Sequence, residues 1–203
     1  MNRNSNAVHP LFKNTDAHLR HTNFLADQMV RKGYEWNPAK MKPMDGALVV
    51  NKEIEVGGTQ DLLTGGSVKE RGINGFDGNK LVKGRVFSAS DVAFGYAVDD
   101  AGKPAHSVDF NYNTAPAYLK QAVLVMKQKD EKIISLPVID IINTTGKGDQ
   151  GFYRKLDAFA LIEDESVIEY TLEFPAGANA NLAAGKALYV SAYIKGLETH
   201  LKR

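Results

Sequence analysis

The chain has 203 residues and a formal net charge of +1, with 43% hydrophobic and 24% charged residues. This length and composition fit one globular domain with its own core plus an extended arm, and they exclude disorder throughout. The near-neutral charge provides no specific signal for nucleic-acid binding, and the lack of cysteine excludes disulfides, thiol nucleophiles, iron–sulfur clusters and cysteine-based zinc sites.

The first elements in chain order are a tail and a single helix. Residues 1 to 14 are polar and rich in Asn, which indicates a mobile or partner-ordered tail. A helix is predicted over about residues 15–32, because Leu19, Leu25 and Met29 recur near helical spacing and Gly33 can end it. Its apolar stripe is narrow, so we expect it to dock on the body of its own chain or on a neighbouring subunit.

A connector after the helix marks the predicted domain boundary. It contains two prolines and Trp36, the only Trp in the chain, and this composition favours irregular structure. Residues 1–45 are therefore predicted to form an N-terminal arm, and residues 46–203 a β body. We expect Trp36 either to pin the arm onto the body or to anchor a partner.

The body is predicted to begin with two short strands and a long glycine-rich segment. Residues 46–50 and 53–56 are strand candidates that could pair as a small hairpin. About residues 57–84 hold eight glycines and few large apolar side chains. A loop of this length is often functional, so it is the first candidate for a binding surface. The alternative is a surface loop with several tight turns and no special task.

The rest of the chain is dense in strand patterns. A strong turn signal at residues 99–104 predicts that residues 92–98 fold back on residues 108–112 as a hairpin. The charged run at residues 128–132 predicts a turn after the next strand. Pro137 predicts two short strands, or one strand with a bulge, within residues 133–142. The other strand candidates are residues 81–87, 122–127 and 188–194.

The clearest two-stranded pattern lies between Phe152 and Phe174. Large apolar residues occupy alternate positions over residues 168–174, which predicts a half-buried strand. Residues 156–162 alternate in the same way, and the short acidic connector between the two runs suits a hairpin turn. The sequence therefore predicts that these two strands pair with each other in antiparallel fashion.

About eight or nine strands after residue 45, with one helix before them, predict a mainly β protein. The expected architecture is an antiparallel two-sheet sandwich, a jelly roll or another Greek key, preceded by an N-terminal arm with one helix.

Few motifs in the sequence indicate chemistry. Residues 144–149 resemble a phosphate-binding loop but lack its first glycine and its Ser or Thr after the lysine. His18 and His21 share a helix face, as two metal ligands could, but they are interpreted as surface residues because a closed site needs more ligands. There is no Gly-x-Ser-x-Gly motif to mark a serine hydrolase.

Four carboxylates flank the predicted second hairpin, namely Asp91, Asp99, Asp100 and Asp109. They could supply a pair for glycoside hydrolysis or a calcium site, but turns collect Asp for local hydrogen bonds. The aromatic residues are interpreted as core and cross-strand pairs. No catalytic, cofactor-binding or metal-binding residue is predicted, and no cofactor.

The sequence favours a non-enzymatic structural protein of a repetitive assembly, most concretely a bacteriophage or virus coat or accessory protein. The whole-chain outline of tail, helix and β body is similar to small virion proteins. Its partners would be copies of itself and other particle proteins, without a membrane. No export signal is found, so we expect synthesis in the host cytoplasm and a final place in the virion. The alternatives are a carbohydrate-binding or adhesion module and, third, a β-sandwich enzyme.

Overall fold

The computed structural model describes residues 15–33, 41–142 and 152–201, which contain one long helix and eight strands. Two short helices, α2 and α3, and one 3-10 turn also lie in these ranges. The helices are α1 Thr15–Arg31, α2 Ala117–Lys120 and α3 Val138–Ile142, and the 3-10 turn is Ala105–Ser107. The strands are β1 Met41–Ile54, β2 Thr59–Asp61, β3 Arg85–Asp100, β4 Val123–Gln128, β5 Glu131–Pro137, β6 Arg154–Ile162, β7 Ile168–Glu173 and β8 Lys186–Leu201.

The strands form two antiparallel sheets of four strands each. Sheet A has the order β1-β8-β3-β6, and sheet B has the order β2-β7-β4-β5. The main core lies between them, because alternate residues of both sheets point inward. From β7 these include Ile168, Tyr170 and Leu172, and from β8 they include Leu188 and Ile194. The prediction of a mainly β, sandwich-like protein is confirmed.

The predicted hairpin between residues 152 and 174 is wrong. β6 pairs with β3 in sheet A, whereas β7 pairs with β2 and β4 in sheet B. The acidic connector crosses from one sheet to the other, and Glu163 is buried there. The side chain of Gln128 accepts a hydrogen bond from the Glu163 backbone N–H at 2.8 Å and donates to its carbonyl at 2.9 Å. A distant side chain thus satisfies the backbone at this crossing.

β6 also carries a large bulge, in which four residues lie opposite one residue of β3. Ala89 pairs with Ala160 and Asp91 pairs with Lys155, so residues 156–159 bulge out opposite Ser90. Ala160 and Ile162 belong to the main core, so strand alternation places Phe159, like Leu161, on the outer side of sheet A, where it contacts α1.

The two short strands predicted near the start of the body form one strand. β1 runs from Met41 to Ile54 and pairs along its whole length with β8, so their pairing as a small hairpin is wrong. β1 crosses the boundary that the sequence placed between residues 45 and 46. Pro43 fits within it because β1 is an edge strand of sheet A, where a missing N–H can face away from the ladder.

The predicted second hairpin is also wrong. Residues 85–100 form the single long strand β3, and residues 108–112 pair with it only through an isolated bridge between Tyr96 and Asn111. The segment instead lies across the outer face of sheet A, where Val108 packs with Ala187 and Tyr189. Burial of Val108 against this apolar face stabilises the segment there.

The turn predicted after β4 is confirmed. Lys129 and Asp130 have φ values of 55° and 62°, and this left-handed pair suits a two-residue hairpin that joins β4 to β5. After Pro137 the chain turns into α3, so the predicted second strand of residues 133–142 is a short helix.

Candidate interaction surfaces

The glycine-rich segment is anchored to the body rather than free. Leu62, Phe76 and Leu81 are each 1% exposed and belong to the main core. The Gly75 N–H donates to the Val49 carbonyl at 2.8 Å, so the segment covers part of the open edge of β1. Its exposed tip includes Val68, which is 77% exposed. Most of the predicted binding loop therefore closes one side of the sandwich.

The four aspartates near β3 do not form a common site. Asp99 pairs with Lys103 at 2.5 Å, and Asp100 pairs with Lys186 at 2.7 Å. The hydrogen bond from Lys103 lowers the pKa of Asp99. Asp109 is exposed, and the Asp91 carboxylate accepts a hydrogen bond from the Ser90 hydroxyl at 2.5 Å. The Asp99 and Asp100 carboxylates are thus each engaged in an ion pair with a lysine.

A buried tyrosine near this turn was not singled out from the sequence. The Tyr189 hydroxyl lies 2.8 Å from both the Glu53 carboxylate and the Asp100 carbonyl, and the Lys103 N–H donates to it at 2.8 Å. The Gly102 N–H also donates to Glu53, at 2.9 Å. Burial and the neighbouring Glu53 raise the pKa of Tyr189. These bonds fasten the turn after β3 to β1 and β8.

An aromatic face lies on the outer side of sheet A. We define it by Tyr112, Phe152, Tyr153 and Tyr193. The Tyr112 and Phe152 ring centroids are 5.7 Å apart, as are those of Tyr153 and Tyr193. The Lys195 ammonium lies 3.5 Å from the Tyr153 ring centroid, a cation–π contact. Phe152 is 46% exposed, and the other three rings are partly buried.

The helix α1 docks on another part of the same outer face. Leu25 and Met29 are 0% and 2% exposed, and they form a small buried cluster with Val86 and Leu197. Leu161 packs against this cluster. Burying two such helix side chains stabilises docking by about 3–6 kcal/mol. Of the predicted stripe, Leu25 and Met29 contact the body of the same chain, whereas Leu19 is 46% exposed.

Polar atoms weaken this contact. Within the described residues, the hydroxyls of Thr22, Ser88 and Thr199 are buried and have no hydrogen-bond partner. Strand alternation places Ser88 beside Val86 and Thr199 beside Leu197 on the outer face. We call the receiving surface the docking patch, and it comprises Val86, Ser88, Leu161, Leu197 and Thr199.

A charged cluster marks the C-terminal end of α1. The Glu163 carboxylate pairs with Lys32 at 3.1 Å and with Lys129 at 2.5 Å. Burial is the largest single influence on Glu163 and raises its pKa, but the two lysines together outweigh it, so the pKa is lowered. A groove of about 300 Å³ remains beside this cluster, with Phe24 among the side chains that line it. Beyond the apolar cluster, α1 is therefore held to the body by the Lys32–Glu163 ion pair and by ring contacts with Phe159.

The two histidines of α1 lie in different surroundings. His18 is exposed, whereas the His21 ring packs edge-on against Phe159 with centroids 3.9 Å apart. Burial lowers the pKa of His21. Over residues 15–33, 41–142 and 152–201, no group of three or more His, Asp or Glu side chains is placed to hold a metal ion.

Several predictions fall outside the described residues. These are the tail at residues 1–14, the connector with Trp36 and the loop at residues 144–149. The helices within the described ranges are too short or too polar to form a membrane-spanning segment. No family model matches this sequence, and no curated protein matches it either.

Proposed function

We propose that the sandwich is a jelly roll and that the chain is a structural, non-enzymatic subunit of a repetitive assembly. The observation that carries this proposal is the pairing of β1 with β8, β2 with β7, β3 with β6 and β4 with β5. This pattern follows when a chain folded in half at the β4–β5 turn is rolled into two sheets, as in a jelly roll. Jelly rolls are common in viral capsid proteins, so a bacteriophage or virus coat or accessory protein is the most concrete form of the proposal. This step is an analogy between folds.

The N-terminal region supports the same function. The part of the predicted arm that precedes β1 acts as an arm in this proposal, and α1 is its helical part. α1 buries only two side chains deeply in the body, and such an element can be stabilised by docking on another subunit. The partners would be copies of this chain and other particle proteins. The protein would be made in the host cytoplasm and end in the virion.

Light scattering of the purified full-length protein, followed by negative-stain imaging of the same peak, tests the proposal. We expect large regular particles or a ladder of closed oligomers. A variant that lacks residues 1–33 should remain folded by circular dichroism but should not assemble. A variant that lacks only residues 1–14 retains α1 and serves as the control. A monomer at every concentration would contradict the assembly function, and an unaltered oligomer after removal of residues 1–33 would contradict the role of the arm.

A second candidate function is a ligand-binding module that recognises carbohydrate. The aromatic face favours it, because aromatic rings at a surface can stack on sugars. A carboxylate also lies nearby: the pKa of Tyr153 is raised first by burial, then by Tyr112 and then by Asp91. Binding to a panel of glycans should then be lost in a Phe152→Ala, Tyr193→Ala double variant. A Val68→Ala variant, changed at the tip of the glycine-rich segment, should bind as the parent does. No binding by the parent protein would remove this candidate.

A further inference from the structure

We propose that in the assembled state α1 of one copy binds the docking patch of a neighbouring copy. The inference rests on the proposed function, since it needs an assembly, and it identifies the surface through which the copies are linked. The same contacts that hold α1 on its own body, including Leu25 and Met29, would then form between two chains.

The receiving surface is built without any contribution from α1. Val86, Leu161 and Leu197 lie on β3, β6 and β8, three neighbouring strands of sheet A. β3 and β8 are paired with a strand on each side and β6 is paired with β3, so the backbone of this surface is held by sheet hydrogen bonds that do not involve α1. A neighbouring helix would therefore meet a surface that is already formed.

The charge on the receiving side is also fixed by the body. Glu163 is held by Lys129 at 2.5 Å and by backbone hydrogen bonds to Gln128, so it remains oriented without α1. Lys32 is the cation that α1 adds, at 3.1 Å. The docking patch thus lies beside the carboxylate of Glu163, and α1 carries the matching apolar side chains and ammonium. Every copy carries the same helix, so α1 of a second copy presents the same complementary groups and is the occupant that we propose.

The intramolecular contact of α1 is small compared with the packing of the main core. α1 buries two apolar side chains deeply, while Leu19 and Val30 remain 46% and 64% exposed. Three buried hydroxyls at the contact have no partner within the described residues. An element held in this way opens more readily than the strands of the core.

The number of residues between α1 and β1 sets the reach of the exchange. Seven residues, 34–40, join the described end of α1 to Met41. Seven residues span at most about 25 Å when extended, so the exchange requires the docking patch of the neighbouring copy to lie within about that distance of Met41.

Two single-cysteine variants provide the test, because the parent chain has no cysteine. Met29→Cys places a thiol on α1, and Leu197→Cys places one on the docking patch, in the same buried cluster. The two proteins, carrying different tags, are mixed, assembled and oxidised. A disulfide between the two tagged chains above the background of chance encounters requires α1 to dock on another copy. We expect such heterodimers to be the main covalent product.

Three controls make the result decisive. Val68→Cys replaces Leu197→Cys in one mixture and should give only background cross-linking, since Val68 lies outside the docking patch. The melting temperature of each variant checks its fold, and Leu25→Cys with Val86→Cys is the second pair if the first unfolds. The double variant Met29→Cys, Leu197→Cys reports docking within one chain when it forms a bridged monomer.

The outcomes separate the two proposals. Particles that contain the heterodimer support the exchange. Normal particles that lack it, together with bridged monomers from the double variant, overturn the exchange and leave the assembly function standing. A parent protein that never assembles overturns both.

Discussion

Two buried tyrosines allow the same substitution to act in opposite directions. Tyr170 and Tyr189 are each 1% exposed, on β7 and β8. The Tyr170 hydroxyl lies in the main core and has no hydrogen-bond partner within the described residues, whereas the Tyr189 hydroxyl has Glu53, Asp100 and Lys103 as neighbours at 2.8 Å. An unpaired buried hydroxyl costs about 1–3 kcal/mol, and its burial also raises the pKa of Tyr170. Removing it removes that cost.

We therefore expect Tyr170→Phe to raise the free energy of unfolding by about 1 kcal/mol and Tyr189→Phe to lower it by about 1–3 kcal/mol. For a chain of this size, 1 kcal/mol corresponds to a melting temperature change of about 2–4 °C. Urea denaturation followed by circular dichroism, with a single transition and an unchanged slope, measures both changes. If both variants lose the same stability, the assignment of Tyr170 as the unsatisfied tyrosine is incorrect.

Three further predictions follow from glycine packing, charge and core anchoring. Gly196→Ala should destabilise the protein by about 3 kcal/mol or more in urea denaturation, because an added Cβ would overlap the Ser88 carbonyl; a wild-type midpoint would contradict the β3–β8 packing. Because the pKa of Glu163 is lowered, its stabilisation should be complete above the ordinary value of 4.5 and disappear as the pH falls through the lowered pKa. Glu163→Gln should remove that pH dependence in thermal melts, and a parallel profile for both proteins would refute it. Phe76→Ala should cost about 3–5 kcal/mol, whereas the exposed Val68→Ala should change stability by less than about 0.5 kcal/mol, and equal losses would contradict the anchored loop.

The sequence predicted individual strands better than their partners. Alternation placed Ile168, Tyr170 and Leu172 on the buried face of β7, and the two-residue turn after β4 was found because its signals are local. Strand pairing depends on distant residues. The connector after β6 resembles a hairpin turn, yet Gln128, 35 residues away from Glu163, fixes it as a crossing between sheets.

The docking patch was not predicted, although the sequence contains a signal for it. In β8 the inward residues Leu188 and Ile194 alternate with apolar outward residues, among them Tyr189, Tyr193 and Leu197. A strand that is apolar on both faces is covered on both faces. This pattern indicates that sheet A has a second covered side, but it does not identify α1 as the element that covers part of it. That assignment needs the three-dimensional placement of β3 beside β8.

The position of β8 has a consequence for synthesis on the ribosome. Of the eight described strands β8 is translated last, yet it lies between β1 and β3 in the middle of sheet A. Sheet A therefore cannot close until β8 has left the ribosome, and until then the apolar faces of β1 and β3 lack the strand that joins them. Apolar surfaces that stay exposed during synthesis are prone to aggregate, and pairing between distant segments is slow. We expect premature stop codons within β8 to yield degraded or aggregated chains rather than a smaller folded domain.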